Sequence, residues 1–171
     1  MNLQAYIRDV PDFPKPGVLF KDITPLLSTP EAFAFAVAEL SGHYVNTAVD
    51  AIAAAEARGF LFAAPMALTL HKPLIPLRKP GKLPYNTHCF KYDLEYGSAE
   101  LHVHTDAITP GARVLLVDDV LATGGTMAAA CKLVEHAGGV VAGCAFLLEL
   151  GFLNGRVPLT GREIFSLITY K

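Results

Sequence analysis

Apolar residues fall into short blocks along this chain, and the spacing of the blocks predicts its elements. RVLLV, from Arg113, and VVAGCAFLL, from Val140, are near-continuous apolar runs of the kind that form strands covered on both faces. AVDAIAAAE, Ala48 to Glu56, and KPLIPL, from Lys72, predict two shorter buried strands. Segments of helical length lie between them: EAFAFAVAEL, GFLFAAPMALTLH and TMAAACKLVEHAGG. Thr29 is placed to cap the first of these, with Pro30 at the opening helical position. Gly138 and Gly139 end the last one, as left-handed helix ends require. Strands alternating with helices predict an α/β fold with a mostly parallel central sheet flanked by helices.

Three stretches depart from that alternation. Pro11, Pro14, Pro16, Pro25 and Pro30 make most of the N-terminal segment an expected irregular region. FKYDLEYGSAELHVHT alternates on both sides of Tyr96-Gly97-Ser98 and predicts a hairpin. The tail from Gly151 mixes turns with one strand-like run. RKPGKLPYNTH reads as a basic loop ahead of the hairpin, and a Pro-Gly turn opens the strand RVLLVDD.

Composition narrows the function classes. A chain of 171 residues suits one domain with a full core. It is 52% hydrophobic and 18% charged, yet Pro, His, Lys or Asp breaks every run before the length of a membrane span. MNLQAYIRDV lacks the basic-then-apolar order of a signal peptide, so a cytoplasmic protein is expected, with no membrane partner. A net charge of −2 argues against nucleic acid as a partner. Cys89, Cys131 and Cys144 form no CxxC pair and read as reduced bystander thiols. His102 and His104 share a strand face but have no third ligand at metal spacing, so they are expected to be exposed. His43, His71, His88 and His136 carry no assigned role.

The chemistry concentrates in VLLVDDVLATGGT. Ligands of parallel α/β sheets bind at the carboxyl ends of the strands, which is where VLLVDD is expected to end. The turn after it offers backbone N–H groups and a helix N-terminus, a cradle for an anion. Asp118 and Asp119 sit just ahead and accept hydrogen bonds instead. A dinucleotide fingerprint is absent, and so is the GxxxxGK[ST] partner that a P-loop ATPase needs. A ligand with a phosphate at one end and sugar hydroxyls behind it satisfies both features, and a ribose 5-phosphate moiety has that form.

VLLVDDVLATGGT resembles the phosphoribosyl-pyrophosphate signature of the type I phosphoribosyltransferases. DFPKPGVLFKDITPLL, EARGFLF, RKPGKLP and YDLEYGSAELHVHTDAI are similar, in the same order, to the adenine-specific branch of that family. The resemblance implies the type I fold as a single domain over 1–171. A small hood would come from about 1–30 and 150–171, and a flexible hairpin flap from about 83–105. It implies purine salvage in which adenine and phosphoribosyl pyrophosphate give AMP and pyrophosphate, with Mg²⁺, in a homodimer.

Residue roles follow by the same resemblance. Ala122, Thr123, Gly124, Gly125 and Thr126 would hold the 5-phosphate, and Asp118 and Asp119 the ribose. Mg²⁺ would be held mainly by the donor, with the two acids reached through water. Glu56, Ala57, Arg58, Arg78, Lys79 and Lys82 would bind pyrophosphate, with a cis peptide between Glu56 and Ala57. Arg78 and Lys79 match a basic pair that reaches into the neighbouring subunit's site in relatives. Leu19, Phe20 and Lys21 would bind adenine, and many relatives carry Arg where this chain has Lys21. Glu95 would handle the proton on adenine and Tyr96 would close over the ligand. Two alternatives stay open: a sibling transferase for a 6-oxopurine or orotate, and a regulatory module that binds phosphoribosyl pyrophosphate without turnover.

Overall fold

The computed structural model describes residues 1–93 and 98–171, with Asp93 and Ser98 described by their backbone alone. It divides into two units, Met1–Glu39 and Leu40–Lys171.

In the smaller unit, β1 (Arg8–Pro11) pairs antiparallel with β2 (Leu19–Asp22). The expected irregular stretch therefore contains a two-stranded ribbon. Pro11 is tolerated because a strand in such a ribbon leaves one side unpaired. The connection turns through Asp12 at φ +57 and Gly17 at φ +85, whose N–H donates to Asp12 Oδ1 at 2.7 Å. Lys21 Nζ donates to Asp9 Oδ1 at 2.6 Å across the ribbon. A single helical turn, α1 (Thr24–Leu27), follows, with Asp22 Oδ1 accepting from the Thr24 N–H at 2.9 Å. The long helix α2 (Pro30–Tyr44), whose residues from Leu40 on are assigned to the larger unit, opens on Pro30 as expected. Thr29 caps it through its carbonyl, which accepts from the Phe33 N–H at 3.0 Å, while its hydroxyl donates to the Pro25 carbonyl.

The larger unit is built on a parallel five-stranded sheet. Its strands are β3 (Ala51–Ala55), β4 (Leu74–Leu77), β7 (Arg113–Leu121), β8 (Val140–Leu150) and β9 (Ile164–Tyr170), in the order β4-β3-β7-β8-β9. Every residue of β3 is buried, as its continuous apolar run requires. α3 (Gly59–Thr69) links β3 to β4 on one side, and α4 (Gly125–His136) links β7 to β8 on the other. The strand order therefore reverses between β3 and β7, the switch point beside which open α/β sheets place their ligands. The strand-like run of the tail is β9, which closes one edge of this sheet.

β5 (Thr87–Asp93) and β6 (Ser98–His104) form the expected hairpin, in register from Thr87↔His104 to Asp93↔Ser98. Its root belongs to the core. Leu101 and Val103 are buried with Leu77, Leu116 and Val134, and Phe90 and Tyr92 pack against the same cluster. Arg78 and His102 exchange backbone hydrogen bonds of 2.9 and 2.7 Å, which join β6 to the end of β4. His102 and His104 are consequently half-buried rather than exposed. His102 Nδ1 lies 2.9 Å from Thr87 Oγ1, and Nε2 lies 3.0 Å from Glu100 Oε1.

Candidate active site

β7 extends two residues past the acid pair, because Val120 and Leu121 continue the ladder to Leu148 and Glu149 of β8. Asp118 and Asp119 thus lie inside the strand rather than at its end. The Asp119 carboxylate is buried, and Arg58 Nε stands 2.8 Å from its Oδ2. That approach is off the hydrogen-bond line, so Asp119 Oδ2 is a buried oxygen with no directed donor among the described residues. Asp118 folds back so that its Oδ1 accepts from the Asp119 N–H at 2.9 Å. Burial pushes both carboxyls above their ordinary range; the neighbouring Asp119 charge adds to this at Asp118, and Arg58 opposes it at both. The half-buried Asp118 beside the buried Asp119 suits sugar hydroxyls, or a water shell around a hard divalent cation such as Mg²⁺.

The next residues form the anion cradle. Gly124 is the N-cap of α4 at φ +83, the left-handed region that favours glycine. No side chain caps this helix and its first turn carries no acid, so its leading N–H groups face outward with the positive end of the dipole. Thr123 is exposed beside them, Ala122, Gly125 and Thr126 are half-buried, and Gly124 is buried. The structure therefore gathers all five predicted phosphate residues into one turn.

The turn after β3 faces the same cleft. The Glu56–Ala57 peptide is cis, as the resemblance implied. The Glu56 carboxylate accepts from the Lys79 backbone N–H, and Arg78 Nε stands 3.3 Å from the same oxygen. These contacts hold the Glu56 carboxyl below its ordinary range, the Lys79 N–H contributing most. They also tie the end of β3 to the end of β4. Lys79-Pro80-Gly81-Lys82 is a tight turn, closed by the Lys82 N–H donating to the Lys79 carbonyl at 3.3 Å, with Gly81 at φ +73. Lys79 and Lys82 are both exposed at its ends. Gly59 completes the arrangement: a Cβ there would stand 2.9 Å from the Val117 carbonyl oxygen and 3.0 Å from Asp118 Oδ1. Only a glycine lets α3 begin this close to β7.

Glu56, Lys79 and Thr126 line a cleft of about 630 Å³ together with Lys91, Tyr92 and Glu100 of the hairpin. Glu95 and Tyr96 lie outside the described residues. In the N-terminal unit, Leu19 is 47% exposed. Phe20 is half-buried and meets Phe13 edge-on at 5.1 Å, and Lys21 is held by Asp9. Sequence reasoning missed the segment after β8. Gly155 packs against the Ala122 carbonyl and the Leu121 side chain, so this stretch backs the cradle directly. Asn154-Gly155 signals a turn, but nothing in the sequence says what the turn touches.

Comparison with known proteins places this geometry. The family profile described as phosphoribosyl transferase domain matches residues 26–152. The chain is 55% identical over 170 residues to the adenine phosphoribosyltransferase of Kosmotoga olearia, covering 99% of this chain and 100% of that one. The crystal structure of adenine phosphoribosyltransferase from Thermoanaerobacter pseudethanolicus superposes with a TM-score of 0.95 at 50% identity, covering 98% of both chains. That from Saccharomyces cerevisiae, complexed with an imino-altritol bisphosphate and adenine, gives 0.90 at 36% identity over 96% of both. With its acid pair, uncapped cradle and cis turn gathered at the switch point of a parallel sheet, the chain belongs to the adenine phosphoribosyltransferase family of type I phosphoribosyltransferases.

Proposed function

We propose that this protein transfers the 5-phosphoribosyl group of phosphoribosyl pyrophosphate to adenine, releasing AMP and pyrophosphate in purine salvage. The observation that carries the reading is an uncapped helix N-terminus that follows, after Val120 and Leu121 and a short turn, the half-buried Asp118 and buried Asp119 of β7. The cradle Ala122–Thr126 binds the 5-phosphate, and Asp118 and Asp119 accept from the ribose hydroxyls. Orientation by these groups leaves the anomeric carbon open toward the base. The Glu56–Arg58 turn, Arg78, Lys79 and Lys82 stabilise the charge that develops on departing pyrophosphate. Mg²⁺, when bound with the donor, neutralises part of that charge. Leu19, Phe20 and Lys21 hold adenine, through an apolar contact and main-chain groups. Glu95 takes or relays the adenine proton, and Tyr96 closes with it to keep water from the oxocarbenium-like transition state.

The yeast relative's complex with adenine supports the choice of base. A second copy of the chain is the proposed partner. The 11-residue α3 carries no charged side chain and leaves Leu61 and Leu68 42% and 77% exposed, a face that suits burial in a homodimer. A cytoplasmic location is supported by cysteines that form no disulfide, Cys131 and Cys144 meeting thiol to thiol at 3.8 Å. Labelled adenine incubated with phosphoribosyl pyrophosphate and Mg²⁺ is expected to yield labelled AMP and one pyrophosphate per AMP. No AMP under those conditions overturns the proposal.

A further inference from the structure

The segment between β8 and β9 contains two single 3₁₀ turns, Gly151–Leu153 and Val157–Leu159, with Asn154 at φ +54 between them. Its backbone hydrogen bonds include three local ones, Asn154 to Gly151, Val157 to Asn154 and Leu159 to Arg156, each 3.0 Å. Two side-chain anchors tie it outward. Leu159 is buried in the core of the larger unit. Arg156 donates from Nε to Glu149 Oε1 and from Nη2 to Oε2, both at 2.7 Å, a two-pronged pair on a carboxylate that is only 6% exposed.

The consequence lies next door. A Cβ on Gly155 would overlap the Ala122 carbonyl oxygen, and one on Gly124 would overlap the Gly155 carbonyl oxygen and stand 2.7 Å from Pro158 Cγ. The two turns approach main chain to main chain, at the Gly155 and Ala122 carbonyls, with the Pro158 ring and the Leu121 side chain flanking the contact. Glu149 itself sits opposite Leu121 in the β7–β8 ladder, one residue before the cradle begins. We infer that the Glu149–Arg156 pair is a positioning device for the 5-phosphate cradle: it fixes Arg156, and with it the Gly155 carbonyl against which Ala122 and Gly124 are set. This rests on the reading of Ala122–Thr126 as the phosphate site. Lysine in place of Arg156 would keep the charge but lose the fork.

The test is ribose 5-phosphate binding by calorimetry together with steady-state kinetics of Arg156→Gln, Arg156→Lys and the cradle variant Thr123→Val. Arg156→Gln is expected to weaken ribose 5-phosphate and raise KM for phosphoribosyl pyrophosphate roughly tenfold. KM for adenine and kcat at saturating donor should stay within about twofold, and Arg156→Lys should fall between Gln and the parent. Should Arg156→Gln fail to fold, Arg156→Lys decides by the same dissociation constant. Weaker binding in Thr123→Val with parental binding in the Arg156 variants overturns the inference and leaves the cradle standing. Parental binding in all three overturns the cradle reading and the inference with it. Equal losses toward ribose 5-phosphate and adenine would mark general destabilisation and also overturn the inference.

Discussion

Asp118 and Asp119 are neighbours in one strand, and Arg58 lowers the pKa of both against the burial that raises it. A carboxyl whose pKa is raised by folding favours the native state below its unfolded value, and that contribution is lost as pH rises through the native value. At neutral pH Asp118 therefore costs stability in the free protein. Asp118→Asn is expected to melt higher than the parent at neutral pH, by about 2–4 °C for each kcal/mol relieved, with the advantage shrinking toward acid pH. The same variant should lose roughly ten- to a hundredfold in kcat/KM, since a charged acceptor for the ribose is gone. Scanning calorimetry across pH checks the first expectation and AMP formation the second. Glu149 has the opposite sign. Arg156 holds its carboxyl below the ordinary value of 4.5, so its contribution is complete above that pH and is lost as pH falls through the lowered value. The stability deficit of Glu149→Gln should accordingly be present at neutral pH and vanish in acid. Gly124→Ala adds a Cβ where φ is +83 and the Gly155 carbonyl already stands, and is expected to cost about 1–3 kcal/mol and most of the donor affinity.

Among the elements, the hairpin is anchored through its root. Leu101 and Val103 of β6 are buried and the Arg78–His102 bridge joins the strand to the sheet, so only the part beyond this root can serve as a flap. Leu101→Ala should cost about 2–5 kcal/mol in urea unfolding, a core value; a loss within about 0.5 kcal/mol would mean that the strand moves with the flap. The apolar runs of β3, β7 and β8 made these strands legible from sequence, because a strand buried on both faces needs no alternation. The hairpin was legible through its alternation, although the same pattern left His102 and His104 looking exposed. Their cover comes from Thr87, Glu100 and Tyr85, neighbours that register and folding supply and sequence spacing does not. The ribbon of β1 and β2 was hidden by its prolines, which read as breakers although one side of each ribbon strand needs no donor. The turn that opens α4 was legible because consecutive residues build it. Its backing by Gly155 was not, since that contact joins residues far apart in the chain.

For the whole molecule, α3 and the basic turn bear on assembly. An apolar helix with Leu68 77% exposed is expected to be covered by a second copy. Leu61→Glu combined with Leu68→Glu should convert a dimer into a monomer in sedimentation equilibrium; a parent that is already monomeric would contradict the homodimer. The central claim is adenine specificity on a phosphoribosyl donor, and it is tested most directly by one competition. Adenine, hypoxanthine, guanine and orotate are supplied together with limiting phosphoribosyl pyrophosphate and Mg²⁺, and the nucleotide products are resolved by chromatography. AMP as the dominant product is the predicted result. IMP, GMP or orotidine monophosphate exceeding AMP, or no nucleotide at all, would contradict it.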